Sequence, residues 1–412
     1  MNMREMKDSG IEWIADIPEH WSVSKIGGLY SLRVTKVSDR DYPPLSVTNK
    51  GILPQLETAA KTNAHDDRKL VCKGDFAINS RSDRRGSCGI SSYTGSVSLI
   101  NTILRPMTEM HPQYYDWLFH TIQFGDEFYK WGHGIVDDLW TTGWQDMKKI
   151  SIPTPPITEQ AVIADFLDEQ CAEIDTLVTD IQSQIEALEE YKRSVITEVV
   201  TKGLDPDVEM RDSGVQWIGE IPTHWTLIRI GSLYGLRTQK VSDIDYPPLS
   251  VTKMGVLPQL DTVAKTNAHD DRKLIVKGDF VINSRSDRRG SCGISDYTGS
   301  VSLINTVLFP ITEMNPRYYN WYFHTVGFAD EFYRWGHGIV DDLWTTGWQD
   351  MKNILISVPP LDEQQRIADY LDSKCAEIDN IITEKKQQIE TIEEYKKSLI
   401  FEYVTGKKEV QA

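Results

Sequence analysis

Pro155-Pro156-Ile157-Thr158-Glu159-Gln160, continuing through Ile163-Ala164-Asp165-Phe166-Leu167-Asp168, is the stretch from which the architecture can be read. Two adjacent prolines stop an incoming element and free a helix to begin after them. From Glu159 onward the pattern is helical. Ile174, Ile181, Leu188 and Val195 recur every seven positions, with Val178 and Ile185 offset by four, a heptad seam for packing against another helix. The same text returns 204 residues later, from Pro359-Pro360 through Asp372 to Ile378, Ile392 and Leu399, with Ile382 and Ile389 beside them. Lys385 interrupts the second seam where Ile181 stands in the first. Gly203 and Gly406 close the two helices, in keeping with glycine's use at helix C-termini.

The offset of 204 extends far beyond the helices. Between residues 8–201 and 212–405, 136 of 194 positions are identical without an insertion, so the 412-residue chain is one module used twice. Ahead of each helix the pattern is mixed. Leu45-Ser46-Val47-Thr48, Phe76-Ala77-Ile78 and Val97-Ser98-Leu99-Ile100 read as short strands separated by glycine-containing turns. Tyr114 to Tyr129, after Pro112, reads as one aromatic-rich helix. The fold class is therefore α+β: two α/β-mixed domains separated by two long helices, in a pseudo-two-fold internal repeat. The expected boundaries are a domain over 1–156, a helix over 157–203, a domain over 204–360 and a helix over 361–408. A self-dimer or a simple spacer is the plain reading of paired heptads. A chain ordered domain–helix–domain–helix can instead lay its two helices side by side as an antiparallel coiled coil, relating the domains by a local two-fold axis. At 1.5 Å per residue, helices of about 37 residues are on the order of 55 Å long.

Composition narrows the function classes. The net charge of −17 at first argues against a polyanionic partner, but it is unevenly spread. Lys+Arg minus Asp+Glu is −8 over 157–202 and −3 over 361–408, whereas it is +2 over 21–153 and 0 over 225–357. Near-neutral domains with clustered arginines can hold DNA locally, because phosphate contact depends on the patch. The five cysteines are odd in number and form no CxxC pair, so a disulfide framework or zinc site is not expected and a reducing, cytoplasmic location fits. No signal peptide or membrane span is expected either.

No catalytic or metal-binding residues stand out. Asp41-Tyr42-Pro43-Pro44 and Asp245-Tyr246-Pro247-Pro248 invite comparison with an amino-methyltransferase motif, but Tyr precedes the prolines, so they read as a rigid loop leading into a strand. Trp131-Gly132-His133-Gly134 lacks the preceding acidic strand of a cofactor loop, and no Walker, HExxH or paired-cysteine motif is present.

The candidate DNA-binding residues lie in stretches identical between the copies. Residues 78–91 match 282–295 in full. Within them Arg81, Arg84 and Arg85 can donate to phosphates or pair with guanine, Asn79 can read adenine, and Ser80 and Ser82 can contact either; their counterparts are Asn283, Ser284, Arg285, Ser286, Arg288 and Arg289. The competing reading is a solvated loop whose arginines are neutralised by Asp83 and Asp75. A second stretch contributes Lys61, Asn63, His65 and Arg68, with Lys265, Asn267, His269 and Arg272, or else is only a surface turn. A third, Trp131 to Lys148, matches 335–352; its contact candidates are His133 and His337, while Trp140 and Trp144 are expected in a core or at a partner interface.

Asp8-Ser9-Gly10-Ile11-Glu12-Trp13-Ile14 running to Ile17-Pro18-Glu19-His20-Trp21, together with the Pro155 to Asp168 helix start, resembles the specificity (S) subunits of type I restriction–modification systems, and both motifs recur at Trp217–Trp225 and Pro359–Asp372. The resemblance implies two target-recognition domains on conserved helices, no chemistry of the chain's own, and double-stranded DNA as ligand. It implies two methyltransferase subunits docked on the chain and endonuclease/translocase subunits joining for restriction. S-adenosylmethionine, ATP and Mg are then expected only in those partners. The acidic outer positions Glu186, Glu189, Glu190, Glu390, Glu393 and Glu394 are expected to dock the methyltransferases, or to be plain solvated faces. Because the candidate reading loops are identical, the target is expected to be bipartite and palindromic. Two alternatives stand beside this: a specificity chain for a type II system with a fused methyltransferase–nuclease, and a coiled-coil scaffold whose heads bind protein. Co-purifying chains separate the first, and salt-dependent DNA binding the second.

Overall fold

The computed structural model describes residues 4–56, 66–134, 140–260, 271–338 and 344–410. The chain forms two compact units, one of Met1–Ile181 with Lys386–Ala412 and one of Gln182–Lys385. The helices run Ile157–Lys202 and Leu361–Val404, so each contributes one half to each unit. This cuts across the four-part division by sequence.

In the first unit a four-stranded antiparallel sheet has the order Cys88–Ile90, Phe76–Asn79, Asn101–Pro106, Tyr30–Leu32. Alternation along Phe76–Asn79 explains its burial on both faces. Phe76 and Ile78 enter the large aromatic core, whereas Ala77 faces a small core of Leu45, Ile52, Val71, Val97 and Ile103. A three-stranded sheet (Gly95–Val97, Arg68–Val71, Lys36–Val37) and the hairpin Leu45–Thr48/Gly51–Pro54 cover that second face. Ser22–Lys25 pairs with Ser151–Thr154, which brings the domain's two ends together where the long helix starts. The second unit repeats these pairings 204 residues on.

Two expectations are corrected. The aromatic helix is two helices, Pro112–Phe119 and Ile122–Lys130. Thr121 breaks it: its hydroxyl donates to the Leu118 carbonyl at 2.8 Å and accepts from Phe124 N at 3.2 Å, closing one helix and capping the next. The apolar run 97–100 is likewise not one strand. The strand ends at Val97, and Asn101 donates from both its backbone N and Nδ2 to the Ser98 carbonyl at 3.1 Å, folding Leu99-Ile100 into a turn.

Within the first unit the two helix halves run antiparallel: Phe166 meets Tyr403 with ring centroids 4.5 Å apart, and Asp175 meets Lys396 Nζ at 2.6 Å. In the second unit Lys192 reaches Asp379 at 2.6 Å, and Lys385, the seam's interruption, donates to Gln184 Oε1 at 2.6 Å. The seam is thus a coiled coil whose polar positions are each answered across it.

The motif residues at the helix start act as latches. Glu159 accepts from Trp21 Nε1 at 2.9 Å and Glu363 from Trp225 Nε1 at 3.0 Å. Gln160 accepts from His111 N at 2.9 Å and donates to the Pro155 carbonyl at 2.8 Å. The opposite helix ends at the same place, where the Tyr114 hydroxyl donates to the Val404 carbonyl at 2.7 Å and the Tyr318 hydroxyl to Val200 at 3.0 Å. Gly406, at φ +73°, lies so close that a Cβ would sit 2.4 Å from Pro18 Cδ, which is why the chain leaves this helix on glycine.

Candidate nucleic-acid interface

The arginine-rich segment is a loop between two strands of the four-stranded sheet. Ser80 is buried against the Thr102 hydroxyl at 2.9 Å, and Asn79 Oδ1 accepts from Arg81 N at 3.1 Å. Ser82–Arg84 form a single 3-10 turn, and Gly86 supplies the left-handed residue (φ +73°) that returns the chain to Cys88. The Tyr129 hydroxyl donates to the Asn79 and Arg84 carbonyls at 3.2 and 3.3 Å, pinning the loop to the helix behind it.

This scaffold leaves the guanidinium groups outward. The side chains of Arg84 and Arg85 are 68% and 62% exposed, that of Arg81 39%. Asp83 sits 3.0 Å from Arg81 Nε and 3.8 Å from Arg84 Nε; Arg85 pairs with Asp126 and lies 5.5 Å over the Tyr129 ring. Asp75, expected from sequence as a second neutralising group, is buried elsewhere: it takes Arg33 in a two-point pair at 2.6 and 3.0 Å. In the second unit Arg285 and Arg288 share Asp287, Arg289 pairs with Asp330, and Asp279 takes Arg237. Asn283 Oδ1 again holds Arg285 N, and buried Ser284 again meets Thr306. Ser82 and Ser286 sit in the 3-10 turns, their backbone N donating to the Trp140 and Trp344 carbonyls at 2.9 Å.

Between this loop, the hairpin tip at Val47–Asn49 and the turn at Ser98–Ile100 lies a cleft of about 620 Å³, lined also by Asn79, Arg81, Asp83, Arg84, Arg85 and Ser87. The third identical stretch is stitched to its side. His133 and Thr141 exchange backbone hydrogen bonds at 3.0 and 3.1 Å, and Thr142 N donates to the Ser80 carbonyl at 2.9 Å. His133 is 76% exposed with Nε2 3.3 Å from Asp146, and His337 stands 3.4 Å from Asp350. Trp144 packs against the core, but Trp140 is 36% exposed beside the arginine loop.

The second stretch behaves differently. Lys61, Asn63, His65, Lys265, Asn267 and His269 lie outside the described residues. Arg68 and Arg272, expected as DNA contacts or on a surface turn, are neither exposed nor in a turn: they open strands and are buried. Arg68 donates to Ser96 Oγ and to the Ser96 carbonyl, both at 2.9 Å, and burial lowers its pKa from the usual arginine value. Its donors brace the sheet. The Pro43-Pro44 loop leads into a strand as expected: Ser96 N donates to the Pro43 carbonyl at 2.9 Å and the next strand begins at Leu45.

Glu186, Glu189, Glu190, Glu390, Glu393 and Glu394 are exposed on the long helices and make no ion pair among the described residues. Among those residues no three His, Cys, Asp or Glu converge as metal ligands, and no helix is long and apolar enough to cross a membrane. Sequence reasoning missed Asp126 and the hairpin tip. Asp126 carried a signal, since it recurs as Asp330, but its partner lies 41 residues away.

Residues 225–391 match the family described as the type I restriction modification DNA specificity domain. A putative type I restriction enzyme MjaX specificity subunit of Methanocaldococcus jannaschii is 27% identical over 273 residues, 63% of this chain and 60% of that protein's length. The type I restriction enzyme MjaVIII specificity subunit of the same organism is 24% identical over 427 residues, covering 95% of this chain and 93% of that one. Among solved structures, a chain of a type I R-M system superposes with TM-score 0.70 at 12% identity, covering 95% of this chain and 99% of that one. The HsdS subunit from Thermoanaerobacter tengcongensis superposes with TM-score 0.54 at 15% identity, covering 95% and 98%. At such identities these two establish the fold. The matched region has its own repeat in the first half, with 100 of 130 positions identical between 21–150 and 225–354, and along nearly its whole length the chain is similar to type I restriction enzyme specificity subunits.

Proposed function

We propose that this chain recognises a bipartite DNA sequence for a type I restriction–modification complex and leaves the chemistry to its partners. The observation that carries this is the arginine loop, present once in each unit and unchanged in sequence. Exposed guanidinium–carboxylate pairs are worth only about 0–1 kcal/mol, so a phosphate can draw Arg84 away from Asp83, 3.8 Å off, at small cost, while Arg85 stays with Asp126. Arg81, the least exposed of the three arginines, and Asn79 line the same cleft and suit base edges: arginine pairs with guanine O6/N7 and asparagine with adenine N6/N7. The two methyltransferase subunits dock on the chain, with the acidic outer faces around Glu186 and Glu390 as their contact. They bind S-adenosylmethionine and methylate adenine N6, while ATP and Mg serve the endonuclease/translocase subunits.

Like loops read like bases, and the repeat of one domain–helix module in sequence is the ground for proposing half-sites in inverted orientation. Reading heads on one face of B-DNA sit about one turn, ~10 bp, apart, which leaves an unread spacer of roughly six or seven pairs between half-sites of three or four. Mapping N6-methyladenine in cells carrying the complete system tests this. The expected result is a bipartite motif with related, inverted half-sites and one adenine methylated on each strand. Two unrelated half-sites, or a continuous motif, overturn it.

A further inference from the structure

The eleven residues lining the first unit's cleft can be compared one by one with their counterparts 204 positions on. Ten are identical, and one differs: Asn49 at the hairpin tip corresponds to Lys253. The difference is confined to the side chain, because the backbone carrying it is the same in both units. Thr48 Oγ1 donates to the Gly51 carbonyl at 2.9 Å and accepts from Lys50 N at 3.1 Å; Thr252 Oγ1 does the same with Gly255 and Met254 at 3.0 and 3.1 Å. Gly51 and Gly255 take the left-handed conformation the turn requires, at φ +94° and +102°. Each tip is also seated on the strand that follows the arginine loop. A Cβ on Gly89 would come within 2.9 Å of Gly51 Cα, and one on Gly293 within 2.9 Å of Gly255 Cα. Position 49/253 is exposed in both units, and Asn49 lines the same cleft as the guanidinium groups of Arg81, Arg84 and Arg85.

Resting on the DNA-reading function proposed above, we infer that Asn49 and Lys253 are specificity-determining residues that make the two half-sites differ at one edge base pair. The reasons are chemical. An asparagine amide offers a donor and an acceptor together and can engage adenine N6 and N7 at once; a lysine ammonium offers donors only and suits guanine O6/N7 or a phosphate. Two reading surfaces alike at ten of eleven positions and different at one read a common core and part at that position. The target is then a broken palindrome, with an adenine favoured at the edge position by the first unit and not by the second.

The test is to exchange the residue and read the methylated motif in the assembled system. Asn49→Lys makes the two clefts alike, on a turn that already accepts lysine in the other copy. The expected wild-type motif has half-sites matching at all but one position, and Asn49→Lys restores a full palindrome; Lys253→Asn restores the other one. A lost or wrong base contact should alter discrimination at that position by roughly 5- to 160-fold while other positions stay fixed. A wild-type motif already palindromic throughout, or one unchanged in both variants, overturns the inference but leaves the DNA-reading function standing. The absence of any bipartite motif overturns both.

Discussion

Arg85 and Arg289 are each held by one exposed carboxylate, Asp126 and Asp330, with side-chain exposures near 60% on both sides of each pair. Replacing both aspartates by asparagine frees two guanidinium groups already at the rim of the clefts. Stability should change by no more than about 1 kcal/mol per site, because exposed pairs contribute little and the cation still leans on Tyr129 or Tyr333. DNA binding should respond more. Each additional phosphate neutralised steepens the dependence of log Kobs on log salt by about 0.9, so two freed arginines add about 1.8 to the slope. Between 50 and 200 mM salt the variant's advantage over wild type should therefore shrink by roughly 12-fold. Fluorescence anisotropy of the methyltransferase-bound assembly on a duplex lacking the motif, titrated across that range, measures the slope directly. An unchanged slope with an intact fold refutes the placement of Arg85 and Arg289 at the phosphate backbone.

Arg84→Ala with Arg288→Ala should do the reverse, lowering the salt slope by about two in total and weakening binding alike on all sequences, with the methylated motif unchanged. Asp75→Ala leaves the part-exposed Arg33 guanidinium and the Cys72 N–H without their buried acceptor and should cost about 1–3 kcal/mol in urea unfolding. Burial pushes the Cys171 thiol to about 11 and the Cys292 thiol to about 12, so neither supplies thiolate at pH 8. A thiol-disulfide reagent should titrate one fast cysteine in the folded chain, half-buried Cys72, and all five in denaturant. Charge reversal at Glu186, Glu189, Glu190, Glu390, Glu393 and Glu394 should abolish co-purification of the methyltransferase while leaving circular dichroism unchanged; normal co-purification places the docking surface elsewhere.

The features legible in the sequence are those carried by local or periodic patterns. A repeat at fixed offset and an apolar step of seven and four are one-dimensional signals, so both helices could be read to within a few residues of their observed ends. Features set by sheet register were not legible. Arg33 finds Asp75 at a separation of 42 residues and Arg68 finds Ser96 at 28, because strands that are distant in sequence lie side by side. The arginine loop could be identified as a loop because glycine and serine follow its charges, yet which carboxylate each arginine meets depended on the helix 41 residues later. Thr121 shows the remaining kind of miss: a single hydroxyl broke a helix that the aromatic periodicity predicted to be continuous.

The unequal connectivity of the two units has a consequence for synthesis. The second unit is a single run of chain, Gln182–Lys385, and all its internal contacts become available once that run has left the ribosome. The first unit is finished only by residues made after the second: Tyr114 bonds Val404 across 290 positions, and Phe166 waits for Tyr403. While the second unit is being translated, the helix from Phe166 to Val178 lacks the opposite helix half that pairs with it. That nascent interval is when a holdase, or a second nascent copy supplying an equivalent helix, has its opening to compete.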